Sequence, residues 1–337
     1  MDSLQFVPIL LFGFATSLGL TPVSRQVAMR LGVVDRPTTR KIHEDHKPLM
    51  GGLAIYASLA LALLLFSPSH YMNQIVAILV GAGLLAIVGL LDDFYNLGIR
   101  TRLVAMAFAG VVLLLGGIHI SLFNTPWLDY PLTVFWVVAV TNAVNFLDNM
   151  DGLAAGLSAI AAGFFLLIGL SQGLPMVSAL AAALLGSAVG FLTYNYNPAS
   201  TFMGDMGALT LGFVLAALGI VLEFGARPPG VTWIIPVFVL ALPVFDINLV
   251  VFTRLAEGRS PGEAGKDHTS HRLLSLGLNQ RWTLFVLYGG CAFYGTLALL
   301  MGAVPVTTAW VMGIGGLILL AVLYTVMVWI RYKYQRS

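Results

Sequence analysis

The sequence predicts an all-α integral membrane protein with about eleven transmembrane helices, and three observations carry that prediction. Apolar residues make up 58% of the 337 positions and charged residues only 9%, against roughly 45–50% and about 25% in soluble domains. The apolar residues gather into eleven stretches close to the length, about 20 residues, that a helix needs to cross the hydrocarbon layer. Sixteen of the 17 Lys and Arg residues stand in or at the edge of alternate gaps between those stretches, which sorts the cations onto one face.

Taken in order, the first stretch, 4–22, begins after Asp2 with no cation ahead of it. It ends at Leu20-Thr21-Pro22 without a small-x-small cleavage site, so it reads as a retained helix rather than a signal peptide. The gap 23–48 holds Arg25, Arg30, Arg36, Arg40, Lys41 and Lys47; the positive-inside rule makes it cytoplasmic and the N-terminus external. Crossings follow at 49–67, 75–91, 102–118, 131–147, 152–170, 175–193, 207–224, 231–253, 282–301 and 306–330, which leaves the C-terminus cytoplasmic. The outer gaps then contain one cation, Arg227. No internal repeat, low-complexity tract or long polar linker interrupts residues 1–337, which read as a single polytopic domain in the cytoplasmic (inner) membrane. Glycines such as Gly81, Gly83, Gly289, Gly290, Gly313 and Gly316 are expected at close helix contacts. Cys291, the only cysteine, lies inside the tenth stretch and reads as packing.

All the chemically equipped motifs fall on the inner face. DRPTTRKIHEDHKPLMGG, Asp35 to Gly52, offers cations for anionic lipid or for a phosphate against Lys41 or Lys47, and Gly51-Gly52 permits close backbone approach. LLDDFYNLGIRTR places Asp92 and Asp93 at the end of an apolar helix. A carboxylate at mid-membrane costs roughly 2.5–3.5 kcal/mol; at a helix end it is either solvated or recruited for a hard cation or a proton. In NAVNFLDNMDG, the residues Asn142, Asn145, Asp148 and Asp151 recur every third position, a polar stripe on a membrane helix that Gly152 ends. YNYNPASTFMGD carries Asn195, a turn at Asn197-Pro198, Phe202 as a stacking face or belt residue, and Asp205 beside Gly204. The last inner gap, FTRLAEGRSPGEAGKDHTSHRLL, sets His268 and His271 three residues apart among Arg254, Arg259, Lys266 and Arg272. With no Cys, and no Glu at zinc-motif spacing, that pattern suits phosphates better than zinc. Asp246, in PVFD of the ninth stretch, is either a helix-packing hydrogen bonder or part of the same polar cavity.

Together these five motifs resemble the polyprenyl-phosphate N-acetylhexosamine-1-phosphate transferases, the family that contains phospho-N-acetylmuramoyl-pentapeptide transferase and the UDP-GlcNAc:undecaprenyl-phosphate GlcNAc-1-phosphate transferases. The resemblance runs from about residue 35 to 272 in the family's order. It implies Mg²⁺ (or Mn²⁺ in its place) on Asp205 and Asp148, and catalytic roles for Asp92, Asp93, Asp148, His268 and His271. Substrate contacts are implied for Lys41, Lys47, Asn142, Asn145, Asp151, Asn195, Phe202, Arg259 and Arg272, with Phe202 by the uracil. The partners implied are a UDP-sugar, a polyprenyl phosphate and the bilayer, with no nucleic acid; a homodimer is compatible. His268-Thr269-Ser270-His271 departs from the three consecutive histidines of the pentapeptide branch, which favours the GlcNAc-type branch. The chemistry agrees with the residues: attack of one phosphate on a diphosphate gathers negative charge that must be positioned and neutralised. A secondary transporter would instead show mid-helix charges and an internal repeat, and a scaffold would need no such motifs.

Overall fold

The computed structural model describes residues 3–35, 47–225, 227–263 and 265–335. It is about 80% helical with almost no sheet. The chain falls into two compact units, Met1–Leu222 and Glu223–Ser337.

The first unit is a bundle of eight helices: α1 (Val7–Leu31), α2 (Gly51–Phe66), α3 (Met72–Tyr95), α4 (Ile99–Leu115), α5 (Pro126–Leu147), α6 (Leu153–Gln172), α7 (Pro175–Asn195) and α8 (Gly204–Val221). Its centre is α8, apolar on every side and 89% buried along its span. A helix without a polar face is stable only inside a bundle or in lipid. Helices α2, α3 and α5 pack directly on it, α7 packs against α1 and α6, and α4 bridges α3 and α5. Small residues make these contacts. A Cβ on Gly212 would stand 2.8 Å from the Thr141 Cα of α5, and one on Gly52 or Gly89 would overlap the backbone of α8. Without a hydrophobic drive between helices in lipid, such close approach supplies the packing.

Two short strands, β1 (Val34–Asp35) and β2 (Lys47–Pro48), pair antiparallel with Asp35 opposite Lys47. They tie the segment after α1 to the start of α8. Phe202 N–H donates to the Pro48 carbonyl at 2.8 Å, and Gly51 and Gly52 N–H donate to the carbonyls of Phe202 and Met203 at 3.0 and 2.9 Å. Lys41, Arg36 and Arg40 lie outside the described residues.

The second unit comprises α9 (Pro229–Val239), α10 (Ala241–Ala256), α11 (Thr269–Ser275), α12 (Gln280–Ala303) and α13 (Val306–Ile330). Here α12 packs on α9 and α13, while α10 packs on α13. The span expected at 231–253 is a broken one, with α9 and α10 meeting at an 81° bend. Pro243 explains it: its nitrogen has no proton for the Val239 carbonyl, and its ring crowds that carbonyl out of line. Cys291 is buried as expected. Of the expected packing glycines, Gly313 and Gly316 meet neighbouring side chains, whereas a Cβ on Gly289 or Gly290 would touch nothing.

Among the described residues, eight helices are long and apolar enough to cross a membrane, and nine if the bent pair counts as one span. The other two expected crossings correspond to α2 and α4, of 16 and 17 residues, about 24–26 Å at 1.5 Å per residue. α1 also runs past its expected end to Leu31, so Arg25 and Arg30 ride on its last turns rather than in a loop.

Candidate functional site

At one end of the first unit the termini of α3, α4, α5, α7 and α8 converge, and so do most of the predicted site residues. Asp92 and Asp93, adjacent in sequence, face different partners. Asp93 caps α8: its Oδ1 accepts the Asp205 N–H at 3.0 Å and its Oδ2 the Met206 N–H at 3.4 Å. A helix start leaves such amides unsatisfied and favours negative charge beside them. The turn that presents them requires Gly204, whose φ is +68° and whose Cβ, if it had one, would run into the Asp93 carboxylate.

Asp92 is 5% exposed. Its Oδ2 accepts from Arg102 Nη1 at 2.9 Å, and the same nitrogen reaches Asp205 Oδ2 at 3.4 Å. Asn145 Nδ2 donates to the other Asp205 oxygen at 2.5 Å. Asp92 Oδ1 is buried with no hydrogen-bond partner, a situation that ordinarily costs about 1–3 kcal/mol.

The Asn/Asp stripe does not continue along one helix as expected. α5 ends at Leu147, because Asp148 leaves helical geometry (φ −78°, ψ 54°) and Gly152 turns left-handed at φ 76° to start α6. Asn142 and Asn145 therefore share a helix face, while Asp148 and Asp151 sit in the turn that follows. Burial, and then the charges of Asp205 and Asp151, push the Asp148 carboxyl up to about 7. Asp151 Oδ2 holds the α7–α8 loop, accepting from Ala199 N–H at 3.0 Å and Asn197 Nδ2 at 3.2 Å.

Asn195, expected to touch substrate, is 2% exposed and holds the scaffold instead. It accepts the Gly152 N–H at 3.1 Å and donates to the Thr201 carbonyl at 3.0 Å. Phe202 is half-buried at the mouth of this end, and Lys47 is half-buried on β2.

No three acidic or histidine side chains converge as a metal cage among the described residues. What converges is the pair Asp92 and Asp205, with Asp148 close enough to feel the Asp205 charge. A hard dication that keeps its waters and takes one or two carboxylates plus phosphate oxygens fits that set, and the unpartnered Asp92 oxygen is a ready ligand.

The second unit carries the histidine motif. His268 precedes α11, and its Nδ1 lies 2.7 Å from Asp246 Oδ2. The His271 ring centroid is 5.8 Å from that of His268. Burial first, and the His268 charge second, pull His271 down to about 4. The arginines around the histidines are bonded within the protein. Arg272 is wholly buried, and donates to the Asp267 and Met327 carbonyls at 2.9 and 2.6 Å and to Thr253 Oγ1 at 2.8 Å. Burial, with the nearby Arg331 charge, brings it down to about 10. Arg259 pairs with Glu257 and Asp267, each at 3.1 Å, bonds that raise its pKa. Asp267 also receives Arg254 at 2.9 Å and Arg331 at 3.1 Å. Burial works against its charge, but the bonds from Arg259 and Arg254 outweigh it and hold the carboxyl below its usual range.

Three participants were not assigned from sequence, Arg102, Asp267 and Arg331, whereas Asp246 was left open between helix packing and the polar cavity. Arg102 had a visible signal, a cation ten residues after a buried carboxylate at the entry of an apolar helix. Arg331 had none, since it lies beyond the last span.

The fold and this end of the bundle define a polytopic helical membrane protein whose polar chemistry gathers at helix termini. The model of glycosyl transferase family 4 matches residues 75–223, the part that holds Asp92 through Asp205. A probable undecaprenyl-phosphate N-acetylglucosaminyl 1-phosphate transferase of Bacillus subtilis is 33% identical over 85% of this chain and 82% of its own length. The decaprenyl-phosphate N-acetylglucosaminephosphotransferase of Mycolicibacterium smegmatis is 32% identical, covering 91% and 84%. The undecaprenyl-phosphate alpha-N-acetylglucosaminyl 1-phosphate transferase of Yersinia pestis is 27% identical, covering 93% and 88%. The chain belongs to glycosyl transferase family 4.

Proposed function

We propose that this protein transfers GlcNAc-1-phosphate from UDP-GlcNAc to undecaprenyl phosphate or a related polyprenyl phosphate. A lipid phosphate oxygen attacks the β-phosphorus, the bond to the bridging oxygen breaks, and UMP leaves. The product is a polyprenyl-diphosphate-linked sugar of the kind that starts envelope polysaccharide synthesis. The single observation that carries this reading is the Asp92–Arg102–Asp205–Asn145 cluster, in a chain whose relatives are named for that reaction.

Asp92 is the group assigned to orient or deprotonate the lipid phosphate. Asp93 is engaged with the amides of α8, whereas Asp92 retains an oxygen without a partner. Asp205 and Asp92, with Asp148, would hold Mg²⁺, whose charge neutralises diphosphate oxygens when it is bound. Arg102 answers two carboxylates at once and is the counter-charge that this arrangement leaves adjustable. His268 and His271 are assigned to phosphate handling in the same reaction. The topology proposed with this reading is eleven crossings in the cytoplasmic membrane, N-terminus outside, with the motif-bearing ends on the cytoplasmic side where a sugar nucleotide is available.

The test is purified protein with Mg²⁺, undecaprenyl phosphate and a panel of UDP-sugars. UDP-GlcNAc or a close epimer releases UMP, tunicamycin suppresses the release, and UDP-MurNAc-pentapeptide gives little. A pentapeptide substrate at least as good by kcat/KM overturns the sugar assignment, and failure of every UDP-sugar overturns the reaction.

A further inference from the structure

Asp246 lies on the second turn of α10, just past the 81° bend, and its side chain is fully buried. Both of its oxygens are occupied as acceptors. Oδ1 takes the backbone N–H of Thr269 at 2.6 Å, and Oδ2 stands 2.7 Å from His268 Nδ1. A carboxylate that already accepts an amide proton, and is withdrawn from water, is most stable when its remaining neighbour is a donor. The proton on the His268 ring therefore belongs on Nδ1.

Two contacts to one carboxylate also fix geometry. The Thr269 bond sets where the backbone turns into α11, and the Nδ1 bond sets the ring's rotation about its own side chain. With Nδ1–H held in this way, Nε2 is the acceptor nitrogen of the neutral ring. An imidazole oriented by a buried carboxylate is the usual arrangement where the far nitrogen must meet an anion or move a proton. The His271 ring lies 5.8 Å from the His268 ring, and His271 in turn senses the charges of Asp246, Lys266 and Asp267, while Arg254 and Arg272 are bonded to Asp267. None of these competes for Nδ1.

We propose that Asp246 is the positioning residue of His268, holding the ring in its Nδ1–H form so that Nε2 is presented to a phosphate oxygen of the substrate. The proposal rests on the assignment of His268 to the reaction. It makes the bend between α9 and α10 functional, because Pro243 redirects the helix that delivers Asp246 to the start of α11.

The experiment has two arms. In the unaltered protein labelled with ¹⁵N-histidine, with the His268 resonances assigned by loss in His268→Gln, the neutral ring is expected to carry its proton on Nδ1. A neutral ring protonated on Nε2 overturns the proposal, and this arm needs no destabilised variant. In the kinetic arm, with UDP-GlcNAc, undecaprenyl phosphate and Mg²⁺, Asp246→Asn lowers kcat by about tenfold or more, the scale on which a correctly held acid–base group contributes. KM for the nucleotide stays nearly constant. Asp246→Glu recovers part of the kcat. Loss of activity in His268→Gln with an unchanged kcat in Asp246→Asn defeats the positioning role alone. Wild-type turnover in His268→Gln defeats the assignment of His268 itself.

Discussion

At the acidic end of the first unit one guanidinium serves two carboxylates: Arg102 reaches Asp92 at 2.9 Å and Asp205 at 3.4 Å. In the histidine region of the second unit the proportion is inverted, with the single carboxylate of Asp267 receiving Arg254, Arg259 and Arg331. The first arrangement is short of positive charge and leaves Asp92 Oδ1 unpartnered. The second is closed: each of its guanidiniums ends on a carboxylate or a carbonyl. A charge-deficient cluster has room for further positive charge, whereas a closed network holds a shape. The arginines beside the histidines are thus engaged in holding that region's shape.

The largest effect separating the two regions belongs to Asp205. Asp205→Asn should lower turnover by about 10²–10³-fold or more, as when a charge-stabilising group is lost from a reaction centre, while thermal unfolding in detergent barely changes. Near-normal turnover across a Mg²⁺ titration removes Asp205 from the reaction. The acidic pair sharpens the comparison within one site. Asp92→Asn and Asp93→Asn should differ in kcat by at least about tenfold, roughly 1.4 kcal/mol of barrier, with Asp92 the more damaging. Asp93→Asn should appear chiefly as a lower unfolding temperature, because a helix cap is worth about 0.5–2 kcal/mol. Equal, small kinetic effects would return both residues to helix-end solvation.

Across the other region the order of damage reverses, with stability falling before activity. Arg272→Met should destabilise clearly, since it strips three hydrogen bonds from a wholly buried network, and removing one member of such a network costs about 3–5 kcal/mol. Arg259→Gln, partly exposed, should cost about 1 kcal/mol or less. Unfolding temperatures of the two variants in one detergent check the ranking, and an equal effect would mean that the network is not closed at Arg272.

Much of this was legible in the sequence, and the exceptions have physical reasons. The bilayer imposes helix length and apolarity, so all eleven apolar stretches are helical. The bend at Leu240 escaped because hydropathy, from which the span 231–253 was taken, is blind to the missing amide proton of Pro243. Asp148 and Asp151 escaped because a three-residue period looks the same in a helix and in a turn that follows one. The division of labour between Asp92 and Asp93 cannot be written in adjacent identical residues. It arises only when α8 offers its amides to one of them. The structural bonds of Asn195 and Arg272 were not legible for a related reason: a polar side chain in a motif is equally needed to hold the loop that carries the motif.

A further expected effect concerns pH. His271 is pulled down to about 4 from an unfolded value near 6.5, so in the window between them the unfolded chain binds the extra proton. Its stabilising contribution is present above about pH 6.5 and is lost as pH falls toward 4. Wild-type protein should therefore lose thermal stability between pH 7 and pH 5 more than His271→Gln does, and identical slopes would mean that the ring is not shielded.

The measurement that bears most directly on the central claim is the fate of the β-phosphate. With UDP-GlcNAc carrying ³²P at that position, purified protein and undecaprenyl phosphate should move the label into the lipid extract, one equivalent for each UMP released, and Asp92→Asn and Asp205→Asn should abolish the transfer. Label retained on UDP while sugar appears in the lipid, or label that moves equally well without both carboxylates, would contradict the account.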